Sequence, residues 1–199
     1  MKLPARTWAT IEYLFIILGF SGVLVTLGDW WNVYQFDSDE GINLQKAALV
    51  SDGYRLYTDI WNDQPPVLTY ILSWVHNLFP FSVTAARTTI ALFSVILVVS
   101  LFRLISRFEG RLAAWSGVLL CASGYLYLEL SVSVMIGLPA IALTALSMDV
   151  LTSGNNKNLS WQAVLGGIIF ACAVLTKLFV LMVLPAMLVV RGCVDRLEG

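Results

Sequence analysis

Long apolar stretches without a single charged residue recur along this chain, and they limit the folds that are open to it. Six of them occupy residues 13–28, 88–102, 112–128, 130–148, 159–176 and 178–190. A helix that crosses a bilayer needs about 20 predominantly apolar residues, including those that flank its core. We therefore predict an all-α, polytopic membrane protein with about six transmembrane helices. Their expected bounds are residues 10–28, 84–105, 112–128, 134–151, 159–177 and 178–191.

Composition supports a membrane environment and excludes several classes of site. The chain is 58% hydrophobic and only 13% charged, whereas a soluble domain carries about 25% charged residues. Its 12 Lys and Arg are matched by 13 Asp and Glu, which leaves no basic field for a nucleic-acid partner. His76 is the single histidine, and the cysteines Cys121, Cys172 and Cys193 lie in or beside apolar runs. This pattern predicts no metal cluster and no cofactor, although carboxylate oxygens still allow weak binding of a divalent cation.

The distribution of basic residues predicts the orientation. With a cytoplasmic N-terminus, eight of them lie inside, namely Lys2, Arg6, Arg103, Arg107, Arg111, Lys157, Arg191 and Arg196. Four lie outside, namely Lys46, Arg55, Arg87 and Lys177. The positive-inside rule favours this arrangement. We expect an integral protein of the inner or plasma membrane whose first outer loop, residues 29–83, faces the periplasm or the cell exterior.

That outer loop carries seven of the thirteen acidic residues and two short helical patterns. The first covers residues 39–50 and aligns Asp39, Asn43 and Lys46 on one stripe, which suits a helix lying flat on the bilayer with its polar face toward water. The second, residues 67–79, is short for a span and is interpreted as another interfacial helix. Within the spans, Gly137 and Pro139 are expected to kink or delay the fourth one.

Five sequence features occur in an order that resembles the GT-C class of polytopic glycosyltransferases. This class includes protein O-mannosyltransferase-like and lipid A aminoarabinose transferase-like enzymes. The features are Asp39-Glu40-Gly41 and the following Gly53-Tyr54-Arg55-Leu56-Tyr57-Thr58-Asp59, then Gln64-Pro65-Pro66-Val67-Leu68-Thr69-Tyr70, Ala85-Ala86-Arg87, Val134-Met135-Ile136-Gly137-Leu138-Pro139-Ala140 and Leu175-Thr176-Lys177. Because family members have 11 or more spans, the resemblance implies that residues 1–199 form the N-terminal part of such a transmembrane domain.

The resemblance implies transfer of a sugar from a polyprenyl-phosphate donor to a hydroxyl of a glycan, lipid or protein, with inversion at the anomeric carbon. Asp39 occupies the position of the catalytic carboxylate, with Glu40 in support. Basic side chains stabilise the leaving phosphate, and the candidates are Arg55, Arg87 and Lys177. Asp59 and Glu129 are further candidates for the substrate site. Where the family usually carries a second carboxylate this chain has Gly137, and whether Glu129 replaces that acid stays open.

Simpler interpretations compete with each of these assignments. Asp39 and Glu40 also suit the first turn of a helix, and Arg87 and Lys177 also suit snorkelling to lipid headgroups. Asp59 and Asp63 are typical of solvated loops, and Glu12 and Asp149 are expected to be solvated at the cytoplasmic span ends. At the level of function, the alternatives are a truncated, non-catalytic membrane subunit and a small transporter. The transporter is disfavoured because ionisable residues inside the spans are scarce.

Overall fold

The computed structural model describes residues 5–26, 31–153 and 159–198, and within these ranges it omits the side chains of residues 5–9, 159–160, 191 and 193–198. The described part is all-α, with no strand beyond an isolated bridge between Leu56 and Ile60. Its helices are α1 (Ala5–Thr26), α2 (Ser38–Ser51), α3 (Val67–Leu78), α4 (Val83–Phe108), α5 (Arg111–Ser123), α6 (Tyr125–Val132), α7 (Gly137–Thr152), α8 (Leu159–Val174) and α9 (Leu184–Glu198), with a 3₁₀ helix at Leu178–Val183 before α9.

Both helices predicted in the first outer loop are present, and local capping explains their bounds. The side chain of Asp37 accepts a hydrogen bond from the backbone N–H of Asp39 and so caps α2, as Asp does at many helix starts. The helix ends where Gly53 takes a positive φ of 95°, which glycine adopts without steric cost. Pro66 immediately precedes α3, where its missing N–H removes no helical hydrogen bond.

The segment predicted as a span at residues 112–128 is not one continuous helix. The chain breaks at Gly124, and α5 and α6 meet at an angle of 71°. Gly124 has an extended ψ of 105°, and a Cβ at this residue would approach the Leu120 carbonyl oxygen to 3.3 Å. Glycine therefore permits a turn that the apolar character of the segment does not reveal.

The number of spans is only partly supported by helix length. In the described residues, α4 alone is long and apolar enough to cross a bilayer, and α5 with α6 qualifies if the bent pair is one broken span. Shorter apolar helices cover Thr10–Thr26, Gly137–Thr152, Trp161–Val174 and Leu178–Val190. The start of α7 at Gly137 confirms the delay expected there, because Pro139 sits in the first turn, where a proline is tolerated.

Helix α4 is the central element, and it packs against α1, α3, α5, α6 and α7. One apolar cluster joins it to α1, α5 and α6 around Phe20, Val98 and Val132. A second cluster joins it to α2, α3 and the start of α7 around Leu68, Ile90 and Leu138. Two different layers of the core therefore meet on α4, one near each end of the helix.

The end of α4 opposite to α2 carries a buried ionic cluster that corrects one prediction. Asp149 of α7 is 1% exposed, and its two carboxylate oxygens lie 2.9 Å from Arg103 and 2.9 Å from Arg107. The expected solvation of Asp149 is wrong, because α4 and α7 pack side by side and the two arginines shield the carboxylate. Glu12 is also paired, at 3.3 Å from Arg111.

The paired basic residues lie at two ends of the bundle, as the charge pattern suggested. Arg87 and Arg103 are 16 residues apart on α4, a separation of about 24 Å at the helical rise of about 1.5 Å per residue. Lys2, Lys157 and Asp29 lie outside the described residues, as do the side chains of Arg6, Arg191, Arg196 and Cys193. The side of the membrane that each end faces stays a prediction.

Candidate active site

A cavity of about 840 Å³ runs between α2, α4 and α7, within the size range of small-molecule sites. Its charged lining residues, Asp39, Lys46, Asp63 and Lys177, gather where α2 faces the start of α7. Farther along α4 and α7 the lining is mostly apolar, and it includes Leu97, Leu101, Leu104, Ile141 and Met148. The cavity is therefore amphipathic, with a charged mouth and an apolar interior.

Helix α2 supplies one wall of the mouth through the stripe predicted from its sequence. Asp39, Asn43 and Lys46 all line the cavity. We expected the whole stripe to face water, but only Asp39 is exposed. Asn43 is 8% exposed and Lys46 is 6% exposed. Asn43 donates a hydrogen bond of 2.9 Å to the carbonyl oxygen of Val134. Asn43 is therefore turned inward toward the segment before α7, whereas Lys46 is turned toward segment 61–64.

The segment 61–64 forms the rim of the mouth above Lys46. The Lys46 ammonium donates to Asn62 Oδ1 and Asp63 Oδ1, both at 3.0 Å, and lies 5.0 Å from the centroid of the Trp61 ring. Hydrogen bonds from the Gln64 side chain and then from Lys46 hold the pKa of Asp63 below its ordinary value. Lys46 is thus already neutralised by a carboxylate.

Lys177 lies across the mouth, between α8 and the 3₁₀ helix. It is half-buried, and its ammonium lies 3.9 Å from the position that a Cβ would take on Gly137. The carbonyl oxygen of Leu175, two residues earlier, accepts a hydrogen bond of 3.1 Å from the backbone N–H of Val67. This backbone hydrogen bond therefore joins the segment that contains Lys177 to the start of α3, next to the rim.

The two remaining charges of the mouth have no ionic partner in the described part of the chain. Asp39 is exposed in the cavity, and no basic side chain described there lies within ion-pair distance of it. Likewise, no described acidic side chain lies within ion-pair distance of the Lys177 ammonium, which lies 5.5 Å from the centroid of the Phe179 ring. A carboxylate and an ammonium that have no ionic partner among the described side chains thus face a common space.

Glu40 and Arg87 form a buried pair behind the cavity wall and do not line it. Arg87 Nε and Nη2 donate to the two oxygens of Glu40 at 2.9 and 2.8 Å. The backbone N–H groups of Phe36 and Val134 donate to the same carboxylate, each at 3.2 Å. Burial opposes ionisation of Glu40, but the hydrogen bonds from Arg87, Phe36 and Val134 outweigh it and lower the pKa of Glu40.

Four of the sequence motifs that resemble the GT-C class thus meet at one cavity. They contribute Asp39, Gln64, Gly137 and Lys177 to its lining. Over residues 63–192, more than half of its 199 residues, the chain matches the family described as dolichyl-phosphate-mannose-protein mannosyltransferase. The chain belongs to this family. No curated protein and no solved structure matches it.

Membership in the mannosyltransferase family makes the chain an integral membrane protein of glycosyltransferase type. It also bears out the GT-C resemblance inferred from the sequence. The matched region includes Asp63 and Gln64 of the rim, Gly137 and Lys177, while Asp39 and Trp61 precede it. The role of Asp39 therefore rests on the cavity geometry and on the order of the motifs.

Besides Glu40 and Arg87, three more of the predicted site residues lie away from the cavity of this mannosyltransferase-family chain. Arg55 and Asp59 pair with each other at 3.1 Å, with exposed fractions of 76% and 36%, and the hydrogen bonds from Arg55 lower the pKa of Asp59. Glu129, near the end of α6, is half-buried and does not line the cavity. In the described residues no group of three His, Cys, Asp or Glu side chains is close enough to hold a metal ion.

The structure adds three residues to the mouth that sequence reasoning did not select. Lys46 lies on the same helical stripe as Asp39, which is the one sequence signal that places it at the site. The sequence pattern, however, predicts that this stripe faces water. Trp61 and Gln64 flank Asp63 in the rim. Their proximity to α2 depends on the contact with Lys46, which spans 16 or 17 residues and has no local sequence pattern.

Proposed function

We propose that this protein transfers a sugar from a polyprenyl-phosphate-linked donor to a hydroxyl group of a glycan, lipid or protein acceptor. The observation that carries the proposal is the amphipathic cavity, with an unpaired carboxylate and an unpaired ammonium at its charged mouth. A lipid-phosphate sugar has the matching form, because its charged phosphate joins a polar sugar to a long apolar chain.

In this proposal Lys177 binds the donor phosphate. Lys46 is the other ammonium of the mouth, and Asp63 already neutralises it at 3.0 Å. Gly137 places no side chain against Lys177, so the charge of Lys177 stays available for an anionic ligand. As the leaving phosphate gains negative charge in the transition state, a fixed ammonium stabilises it electrostatically.

Asp39 acts as the general base. Its carboxylate accepts the proton of the acceptor hydroxyl while the hydroxyl oxygen forms a bond to the anomeric carbon. The bond from that carbon to the phosphate oxygen breaks, and the lipid phosphate leaves with the electron pair. One such displacement inverts the anomeric carbon. A positioned base contributes a factor of about 10² to 10⁴ to the rate.

Glu40 and Arg87 act as positioning residues in this mechanism. Their ion pair joins α2 to α4. Val134, in the segment before α7, donates its backbone N–H to Glu40 and accepts a hydrogen bond from Asn43 at its carbonyl oxygen, which joins α2 to that segment. Asp39 immediately precedes Glu40 in the first turn of α2. The Glu40–Arg87 pair therefore holds α2, which carries the proposed base, and Lys177 alone binds the phosphate.

The apolar interior accommodates the first isoprene units of the donor. The lining along α7 extends from Gly137 to Met148, which is about 16 Å at the helical rise of about 1.5 Å per residue. The charge distribution along the sequence supports a mouth on the non-cytoplasmic side. Cysteines introduced near Asp63 should therefore react with a membrane-impermeant label without permeabilisation, and reaction only after permeabilisation would reverse the orientation.

The decisive experiment compares sugar transfer by the full gene product with that of two variants in membranes. The donors are radiolabelled polyprenyl phosphates carrying mannose, glucose or aminoarabinose. Asp39→Asn should reduce transfer by about 10² or more. The matched control is Asp37→Asn, since asparagine also caps helices well and Asp37 does not line the cavity.

Each outcome separates the proposed enzyme from its rival. Transfer lost in Asp39→Asn and kept in Asp37→Asn supports the proposal. Full transfer by Asp39→Asn rejects Asp39 as the base. No transfer by the wild-type protein from any donor contradicts the proposal and favours the non-catalytic membrane subunit, to which the glycine at position 137 also points.

A further inference from the structure

Trp61 is unusual among the exposed aromatic residues because it lines the charged mouth of the cavity. Its side chain is 75% exposed, although Asp63 and Lys46 adjoin it. Trp74 of α3 is equally exposed, at 73%, but it belongs to a helix without acidic residues, lysine or arginine and does not line the cavity. An indole beside ionised groups faces water or a polar ligand more favourably than it faces hydrocarbon.

Buried Lys46 holds the Trp61 ring in place. The ammonium of buried Lys46 lies 5.0 Å from the ring centroid, a cation–π distance. Lys46 also binds the two residues that follow Trp61. Farther along the rim, the Gln64 carbonyl accepts hydrogen bonds from Asn62 Nδ2 at 2.7 Å and from the Tyr57 hydroxyl at 2.8 Å. The rim segment is therefore fixed before any ligand binds.

A pyranose ring matches the chemistry of this rim. One face of such a sugar presents C–H groups, which are attracted to the negative face of an aromatic ring. Its edge presents hydroxyl groups, which need hydrogen-bond partners once they leave water. The side chains of Asp63 and Gln64 line the cavity beside Trp61. The carboxylate of Asp63 accepts hydrogen bonds, and the amide of Gln64 both donates and accepts them.

We propose that Trp61 is the platform on which the sugar ring of the donor stacks, with Asp63 and Gln64 binding its hydroxyl groups. Lys46 is then a positioning residue, since it orients the platform and does not meet the phosphate. The inference rests on the proposed function, because it assigns the sugar subsite of the same cavity. It distinguishes the sugar contacts of the rim from the phosphate contact of Lys177.

Lipids with and without the sugar test the proposal, and binding is measured at about pH 5, where the bare phosphate monoester, with a second pKa of about 6, carries close to the single negative charge of the glycosylated phosphodiester. Binding of dolichyl phosphate and of dolichyl phosphate mannose to the full gene product is measured in detergent, and the glucose and aminoarabinose forms are included. The wild type should prefer at least one glycosylated lipid over the bare lipid by about tenfold, the scale of one good aromatic contact. Trp61→Ala should abolish that preference and leave affinity for the bare lipid phosphate unchanged.

Matched variants keep the result interpretable. Trp61→Phe should retain part of the preference, and Trp74→Ala should retain all of it. Because the Trp61 side chain is mostly exposed, the melting temperature of Trp61→Ala should stay close to that of the wild type. If Trp61→Ala and Trp74→Ala weaken binding of both lipids equally, Trp61 is a bilayer anchor and the platform is rejected.

The remaining outcomes separate this inference from the proposed function. Equal binding of the bare and glycosylated lipids by the wild type, across all three sugars, overturns the platform and leaves the lipid-phosphate site intact. Binding of none of these lipids overturns both. A preference that survives in Trp61→Ala also overturns the platform, because the sugar is then recognised elsewhere.

Discussion

Asp39 and Glu40 are neighbours in the chain, but their carboxylates lie in opposite environments. Asp39 is exposed at the mouth of the cavity, whereas Glu40 is 1% exposed and receives hydrogen bonds from Arg87 and from two backbone N–H groups. Successive residues of a helix point about 100° apart, since an α-helix has about 3.6 residues per turn. The acidic pair at this helix start therefore leaves one carboxylate facing the cavity and uses the other to attach α2 to the bundle.

Removal of the Glu40 charge should destabilise the protein strongly. Glu40→Gln leaves the guanidinium of Arg87 buried without its counter-charge, a change that costs about 3–5 kcal/mol in buried pairs. The control is Asp59→Asn, which removes a carboxylate from the exposed pair with Arg55 and should leave the unfolding midpoint nearly unchanged. Thermal unfolding in detergent measures both, and equal midpoints for the two variants would contradict the structural role of Glu40.

The same ion pair predicts a loss of stability in acid. The pKa of Glu40 is lowered from its ordinary value of 4.5, so above that value the group is charged in both the folded and the unfolded protein and its stabilisation is fully present. The stabilisation is lost as the pH falls through the lowered pKa. Unfolding followed from about pH 6 to about pH 3 should show a smaller decline for Glu40→Gln than for the wild type. Parallel declines would show that Glu40 does not carry the effect.

A carboxylate introduced at residue 137 should neutralise Lys177. In Gly137→Asp the new side chain lies next to the Lys177 ammonium, and nothing else lies within 4 Å of the added Cβ. An acidic residue also suits this first turn of α7. Binding of dolichyl phosphate should weaken by about tenfold or more, the scale of a lost charged contact. The neutral variant Gly137→Asn should keep most of the affinity, and unchanged or tighter binding by Gly137→Asp would exclude Lys177 as the phosphate anchor.

Cys121 reports on the apolar interior of the cavity. It lines the cavity beside Leu101 and Tyr127, whereas the half-buried Cys172 of α8 does not line it. Bound polyprenyl phosphate should therefore slow alkylation of Cys121 by a small maleimide and leave Cys172 unaffected. The comparison uses a Cys193→Ser background with mass-spectrometric readout. Equal protection of both cysteines, or of neither, would argue against a lipid chain in this space.

Much of the helical framework follows from local signals that one sequence contains. The starts and ends of α2 and α3 coincide with Asp37, Gly53, Pro66 and the Phe79-Pro80 step, since capping and proline effects act over a few residues. The break at Gly124 was missed because glycine is common within apolar spans and only the packing of α5 and α6 shows that it bends the chain.

The site was predicted less completely because its geometry depends on distant pairs. Asp39 and Lys177 were selected by their chemistry and their motif positions, and both line the cavity. The burial of Asn43 and Lys46 has no local signal, because the partner of Asn43 lies 91 residues along the chain and those of Lys46 lie 16 and 17 residues along it. The burial of Asp149 was missed for the same reason, since its partners lie 42 or more residues earlier on α4.

Helix α4 is fastened near both ends by buried carboxylates that belong to other helices. Glu40 of α2 holds Arg87 near its start, and Asp149 of α7 holds Arg103 and Arg107 near its end. Rotation or sliding of α4 would pull its arginines away from both carboxylates at once. Separating a buried carboxylate from its partner costs free energy. Asp149 thus ties α4 to α7 at the end away from the mouth, so that in the proposed function a lipid chain would enter the cavity lengthwise from the mouth.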